Sequence, residues 1–288
     1  MAKSKNILIT GVSTGIGYDL AKIFIDHDYT VYGSVRKQED AKRLSSAFGD
    51  KFKPLLFDVT DFAAVDKAAA ELTKEIAEEG LGALVNNAGI AIGGPFIDIP
   101  IDDFRHQFEV NVFGLIKVTK AFLPLLGARE NHTSEPGRIL QISSVAGRQG
   151  MPFMSPYAGS KHAVEGITES MRKELQLYGI DVILIEPGPI KTPIWNKGAT
   201  ELVEEKFVDS AFYPALKKYQ YKFIGKALKS AWTSEKAAKI IFEAFQSVRP
   251  KARYLLVPEK FKNWTIPRLM GTRRLDRFFG KALGLTKK

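Results

Sequence analysis

The sequence predicts an α/β fold of three layers, a doubly wound parallel sheet of about seven strands between helices. Three observations carry this reading. Short β-rich runs alternate with longer helical patterns over most of the 288 residues, which is the rhythm of βαβ units. The short runs are almost continuously apolar, as strands become when helices cover both faces of a parallel sheet. No repeat and no Gly/Ser linker interrupts the pattern before Pro258, so residues 1–258 read as a single domain.

The strands follow in order as Ile7–Thr10, Thr30–Val35, Pro54–Val59, Ala83–Asn86, Arg138–Ser143, Asp181–Ile185 and Arg253–Val257. Helical patterns lie between them, near 16–27, 39–47, 61–79, 102–127, 156–178 and 234–247. Pro187-Gly188-Pro189 ends the sixth strand and opens a segment, 189–233, without a strand pattern. That segment is rich in aromatic residues (Trp195, Phe207, Phe212, Tyr213, Tyr219, Tyr221, Phe223 and Trp232). It reads as a helical lid over an apolar pocket or as amphipathic helices whose aromatics face the core. The pocket would also be bounded by Ala91–Phe96 and Val145–Phe153.

Composition narrows the function. With 45% apolar and 26% charged residues the chain is an ordinary globular one. It has no Cys and four His without ligand spacing, so a disulfide framework, a thiol nucleophile and a structural metal are not expected. No apolar run approaches ~18 residues, and no secretory segment follows Met1; a cytoplasmic location is expected. The net charge of +10 is uneven. Residues 1–250 hold 31 Lys+Arg and 30 Asp+Glu, whereas 251–288 hold 11 basic residues and two acids. A near-neutral body with a basic tail, and no nucleic-acid motif, excludes nucleic acid as the expected partner. In the tail (259–288), Leu275, Phe278, Phe279 and Ala282 form one stripe at helical spacing, with Arg273, Arg274, Arg277 and Lys281 opposite. This basic amphipathic helix suits a peripheral membrane contact, a partner subunit or its own domain.

The first strand ends in Thr10-Gly11-Val12-Ser13-Thr14-Gly15-Ile16-Gly17 and enters a helix. Gly11 permits a tight turn. Gly15 and Gly17 let backbone approach a pyrophosphate at the helix N-terminus. In this strand-to-helix context the pattern marks a Rossmann-type dinucleotide site. The second strand ends in Ser34-Val35-Arg36-Lys37 with no acid for a ribose hydroxyl. Arg36 suits a 2′-phosphate, so NADP(H) is favoured over NAD(H). Asp58, before Val59, reads as a contact to the adenine edge or as a turn acid.

Tyr157-Ala158-Gly159-Ser160-Lys161 opens a helix. Tyr157 and Lys161 lie one turn apart on one face, where an ammonium would lower the phenol pKa from ~10. Ser143 and Ser144 stand at the end of a strand, where open α/β sheets bind ligands.

With these elements in this order, the chain resembles the short-chain dehydrogenase/reductase family from about residue 5 to about 258. The resemblance rests on Thr10–Gly17, Asn86-Asn87-Ala88-Gly89, Ser144, and Tyr157 with Lys161. The family's spacing, thirteen residues before the tyrosine, selects Ser144 over Ser143. The resemblance implies Ser144, Tyr157, Lys161 and Asn111 as the catalytic group, with Asn111 in a proton relay. It implies a cofactor cleft lined by Gly11, Ser13, Thr14, Gly15, Ile16, Gly17, Arg36, Asp58, Val59, Asn86, Ala88 and Gly89. Tyr157 and Lys161 complete that cleft with Pro187, Gly188, Ile190 and Thr192. The family often places a basic residue at the position of Thr14, so the cofactor preference rests on Arg36. The nearest branch is that of steroid and retinol dehydrogenases. This implies a hydrophobic alcohol or carbonyl substrate (steroid, retinoid, long-chain or aromatic) and a homodimer or homotetramer. A 3-ketoacyl-carrier ketoreductase and a non-catalytic NADPH-sensing protein are the alternatives.

Overall fold

A computed structural model describes residues 4–130, 132, 134–194 and 205–286. The lid residue Trp195 lies outside them. Apolar runs pair into a seven-stranded parallel sheet: β1 (Asn6–Ile9), β2 (Thr30–Val35), β3 (Phe52–Leu56), β4 (Ala83–Asn86), β5 (Arg138–Ile142), β6 (Asp181–Pro187) and, after the lid, β9 (Arg253–Leu256). Its order is β3-β2-β1-β4-β5-β6-β9. The order reverses between β1 and β4, and the crevice beyond the carboxyl ends of these strands is where such sheets bind ligands.

The third strand begins earlier than the sequence suggests. Pro54 lies inside it, facing Gly33 of β2. A proline is tolerated there because β3 is an edge strand and needs only one ladder. Asp58 and Val59 are thereby left for the following turn. The lid segment does contain strand: β7 (Ile190–Lys191) pairs with β8 (Trp232–Thr233). A two-residue ladder carries no period that a sequence pattern can reveal.

Helices cover both faces. On one, α1 (Gly15–Asp26) and α2 (Gln38–Phe48) share a buried cluster with α9 (Ser234–Gln246). There Phe24 is fully buried, its ring edge-on to Phe242 and Phe245 at 5.1 Å each. On the other face, α3 (Phe62–Ile76) and α5 (Leu115–Phe122) cover Leu8, Leu84, Ile139 and Val182. Upstream of α5, α4 (Ile101–Phe108) runs into it through a π-helical turn, Glu109–Gly114. The longest helix, α6 (Ser155–Glu174), follows β5.

The described residues of the lid include two short helices, α7 (Tyr213–Tyr219) and α8 (Gly225–Lys229). Phe153, Phe207, Leu216 and Tyr219 form a cluster distinct from the two sheet cores. After β9 come α10 (Ile266–Leu269) and α11 (Thr272–Leu283). Leu283 of α11 is buried in the lid cluster, and Phe279 lies 5.3 Å from Phe223 of the lid. The amphipathic stripe therefore contacts its own chain. Among the described residues, no helix is long and apolar enough to cross a membrane.

Phe24 fixes α1, and α1 begins at the glycine turn. Phe24→Ala is expected to cost about 3–5 kcal/mol, read from urea midpoints at constant m. A loss below about 1 kcal/mol would contradict this packing.

Candidate active site

The glycine turn is locked by hydrogen bonds from both sides. Gly11 N–H donates to Ser34 Oγ (3.0 Å). Thr10 Oγ1 accepts from the N–H groups of Asn87 and Ala88, each at 3.0 Å. Asn87 Nδ2 donates back to the carbonyls of Thr10 (2.9 Å) and Gly11 (3.0 Å). Gly11 and Gly15 adopt φ of 70° and 62°, open to glycine at little cost. A Cβ on Gly17 would overlap the Gly11 carbonyl oxygen.

α1 starts here without a side-chain cap, since Thr14 makes no capping bond. Asp61 caps α3 and Thr233 caps α9 in the ordinary way. An uncapped, glycine-lined helix start leaves N–H donors and a positive dipole end for an anion. Thr192 lies over the turn, its Cγ2 3.1 Å from where a Gly15 Cβ would sit. These features fit a dinucleotide pyrophosphate.

Two guanidinium groups lie near this cradle. Arg36 is exposed at the end of β2, with Nη1 3.7 Å from Asp58 Oδ2. The other oxygen of Asp58 accepts from Thr60 N–H and Oγ1, both at 2.9 Å, which is the turn role. Arg43 Nη2 donates to the Ser13 carbonyl (2.9 Å) and to Asp40 (2.7 Å). The side chains of Val59 and Ile190 belong to the buried core clusters. Asn86 is likewise turned inward, donating to Thr119 Oγ1 at 2.8 Å.

At the end of β5 the two serines separate. Ser143 Oγ is buried without a partner. It crowds Gly147, where a Cβ would lie 2.8 Å from it. Ser144 Oγ accepts from Ala146 N–H (3.1 Å) and donates to the Pro187 carbonyl (3.4 Å), and it is the serine whose hydroxyl acts on the Tyr157 phenol. Tyr157 thus meets Ser144 rather than Ser143. Its ring also packs against the lid cluster, so its hydroxyl stands where the strand ends meet an apolar wall. In that wall, Phe153 is held at φ 64°, a conformation that bulky residues keep only when their surroundings enforce it. Phe207 of the lid lies so close to Gly94 that a Cβ there would stand 2.5 Å from its ring.

Asn111 sits in the π-helical turn, where the backbone departs from α geometry. Its Oδ1 accepts from Ile90 N–H (2.9 Å), and its Nδ2 donates to Ile90 O (3.0 Å) and Ser160 Oγ (3.1 Å). Ser160 Oγ in turn donates to the Tyr157 carbonyl at 2.8 Å.

Comparison with known proteins decides the family. The short chain dehydrogenase family matches residues 5–202. The chain is 42% identical over 276 residues to the NADPH-dependent 3-dehydrocapnine reductase of Ornithobacterium rhinotracheale, covering 96% of each chain.

The chain is a short-chain dehydrogenase/reductase.

Steroid-type members of this family are among its relatives. Mouse estradiol 17-beta-dehydrogenase 2 is 34% identical over 211 residues, 69% of this chain and 53% of that one. A short-chain dehydrogenase from Streptomyces avermitilis superposes with a TM-score of 0.77 at 27% identity, covering all of both chains. The closed form of serine dehydrogenase complexed with NADP+ gives 0.72 at 26% identity, over 88% of this chain and 94% of that one.

Asn87, named in the sequence only as part of the Asn86–Gly89 motif, ties the glycine turn. Two residues of the cleft were not singled out from the sequence. Arg43 reaches the turn from α2, seven residues after Arg36 in the sequence. Gln107 is fully buried, accepting from Ile92 N–H (2.7 Å) and donating to Ile90 O (2.8 Å). Its signal was its place one turn before Asn111, which holds the same loop.

Charge in the site differs from the sequence expectation. Burial pushes the Tyr157 phenol up, and the hydrogen bond with Ser144 pulls it partly back. Lys161 does not ion-pair with the phenol. Its Nζ donates to the Ile142 carbonyl (2.8 Å) and lies 5.9 Å from the Tyr157 ring centroid. Burial lowers the lysine to about 8, with Glu165 opposing. A lysine depressed in the folded state costs stability while charged. That cost is relieved as pH rises through about 8 toward the unfolded value near 10.5. Wild type is expected to gain stability relative to Lys161→Met between pH ~8 and ~10, measured by urea midpoints. Parallel pH profiles for the two proteins would contradict the depressed lysine.

Proposed function

We propose that this protein is an NADP(H)-dependent oxidoreductase that interconverts a hydrophobic alcohol and its ketone or aldehyde. The observation that carries the proposal is the position of Tyr157, with the Ser144 hydroxyl on its polar side and its ring packed against the apolar lid cluster. A carbonyl group bonded to both hydroxyls would place its apolar substituent among Phe153, Phe207, Leu216 and Tyr219.

NADPH, when bound, supplies hydride to the carbonyl carbon. Gly11–Gly17 and Thr192 would hold its pyrophosphate end, with Arg36 and Arg43 suited to a 2′-phosphate. Arg43 adds the cation that Thr14 does not provide. Ser144 Oγ orients the substrate oxygen, and Tyr157 Oη donates the proton that completes the alcohol. Burial favours the protonated phenol, as a donor requires. A charged Lys161 then compensates the phenolate left behind, and Asn111 with Ser160 forms the polar edge along which the proton is replaced. The relative named as an NADPH-dependent 3-dehydrocapnine reductase supports NADPH and the reductive direction. Its ketone is the first substrate to test.

We also propose a cytoplasmic homodimer or homotetramer built on the helices that carry Asn111 and Tyr157. Exposed Ile101 and Phe113 on the first of these support that assembly.

Tyr157→Phe is expected to bind NADPH with wild-type affinity by fluorescence titration while turnover falls about 10²–10⁴-fold. Retained turnover would remove Tyr157 from the proton transfer. Lost NADPH binding would show that the hydroxyl serves to hold the cofactor rather than to transfer the proton.

A further inference from the structure

The lid and the C-terminal segment carry the protein's surplus charge together. Between Asp209 and Glu235 the chain has five lysines and no acid, and residues 251–288 have eleven basic residues against two acids. The lid lysines Lys217, Lys218, Lys222, Lys226 and Lys229 are all exposed, as are Arg273, Arg274 and Arg277 of α11. Several surface lysines elsewhere are tied to acids, as in Lys22–Asp26 and Lys239–Glu235. Among the described residues, these eight have no such ion pair.

The two segments form one surface. Phe223 of the lid meets Phe278 and Phe279 of α11, and Leu283 is buried beneath them. Lys218 Nζ lies 3.0 Å from where a Cβ on Gly284 would stand, at the negative dipole end of α11.

This surface is also apolar. Phe261 is 69% exposed, Leu269 and Tyr221 are each 77% exposed, and Phe278 is 51% exposed. Phe261 and Leu269 are eight residues apart on a continuous helical stretch, about two turns, and so share a side. Trp264 is stacked by Arg268 at 4.9 Å. Cations beside exposed aromatic and aliphatic side chains match the layered chemistry of an anionic lipid surface. A nucleic acid or an acidic protein would use the cations and leave Leu269 and Phe261 in water.

We infer that the lid and the C-terminal segment dock together on an anionic membrane surface. The cluster behind this surface contains Tyr157. Docking therefore places the apolar side of the candidate site next to lipid, a source from which a hydrophobic substrate enters. That consequence rests on the proposed reaction; the docking itself does not.

Flotation of the full chain with vesicles tests it, using phosphatidylcholine alone and mixed with phosphatidylglycerol. Flotation with the mixed vesicles is expected, abolished by 1 M salt, where the screening length shrinks to ~3 Å. Arg273→Ser with Arg274→Ser should weaken it about fivefold per charge removed. Phe261→Ser with Leu269→Ser should weaken it too, with NADPH binding unchanged in both double variants. No flotation, or equal flotation on neutral vesicles, would overturn the inference. So would binding indifferent to the Phe261/Leu269 variant but displaced by heparin, which would identify a soluble polyanion or acidic protein. A smaller oligomer of that variant by sedimentation, with no vesicle binding, would assign the surface to a second copy. None of these readouts needs turnover, so failure of docking and failure of the oxidoreductase reading are separately visible.

Discussion

The tie between the carboxyl ends of β1 and β4 is the constraint on which the cleft depends. Thr10 and Asn87 exchange hydrogen bonds across the point where strand order reverses. Such a sheet always opens a crevice there, but the tie determines its floor. It holds Gly11 in a left-handed turn and brings its carbonyl against Gly17, so that α1 starts immediately beyond and uncapped. Asn111 and Gln107 extend the same logic to the Asn86–Ile92 loop, both holding the main chain of Ile90. The floor is built from backbone fixed by buried amides, and such bonds are costly to leave unmade.

Above that floor the site sets polar chemistry against an apolar wall. Tyr157 is half-buried and Lys161 buried, and desolvation moves each toward its neutral form. The Ile142 carbonyl gives the ammonium one partner. Glu165, one turn further along α6, raises the lysine's proton affinity and is itself paired with Arg253, which also bonds Glu186 and Glu169. Tyr157 and Lys161 therefore lie between a charged cluster at the β6–β9 edge and the aromatic lid. That contrast suits a reaction in which charge appears briefly on an oxygen and an apolar group must be held.

Much of this was legible in the sequence, for physical reasons that differ from element to element. Six strands read almost to the residue because burial on both faces makes them continuously apolar. β3 was placed late because its burial is one-sided and Pro54 looked like a boundary. The glycine turn and the Ser144–Tyr157–Lys161 group were legible because backbone geometry and proton chemistry allow few residue types. Arg43 and Gln107 were not, since an arginine and a glutamine on helices look ordinary until the fold shows what they touch; the motif named Asn87 but not its bonds to the glycine turn. The partner of Lys161 was also hidden: helical spacing places it beside Tyr157 but does not reveal the strand carbonyl that binds its ammonium. The basic tail was visible as charge, whereas its packing on an equally basic lid required the three-dimensional arrangement.

The proposed function requires one cleft to present a nicotinamide cofactor to a carbonyl whose apolar part lies in the lid cluster. The most direct measurement is NADPH oxidation with a homologous series of ketones of increasing alkyl length. In that case kcat/KM rises about threefold to fourfold per added methylene until the cluster is filled, as burial of ~0.8 kcal/mol per CH₂ requires. A flat or falling series would contradict it, as would NADPH binding without oxidation by any member.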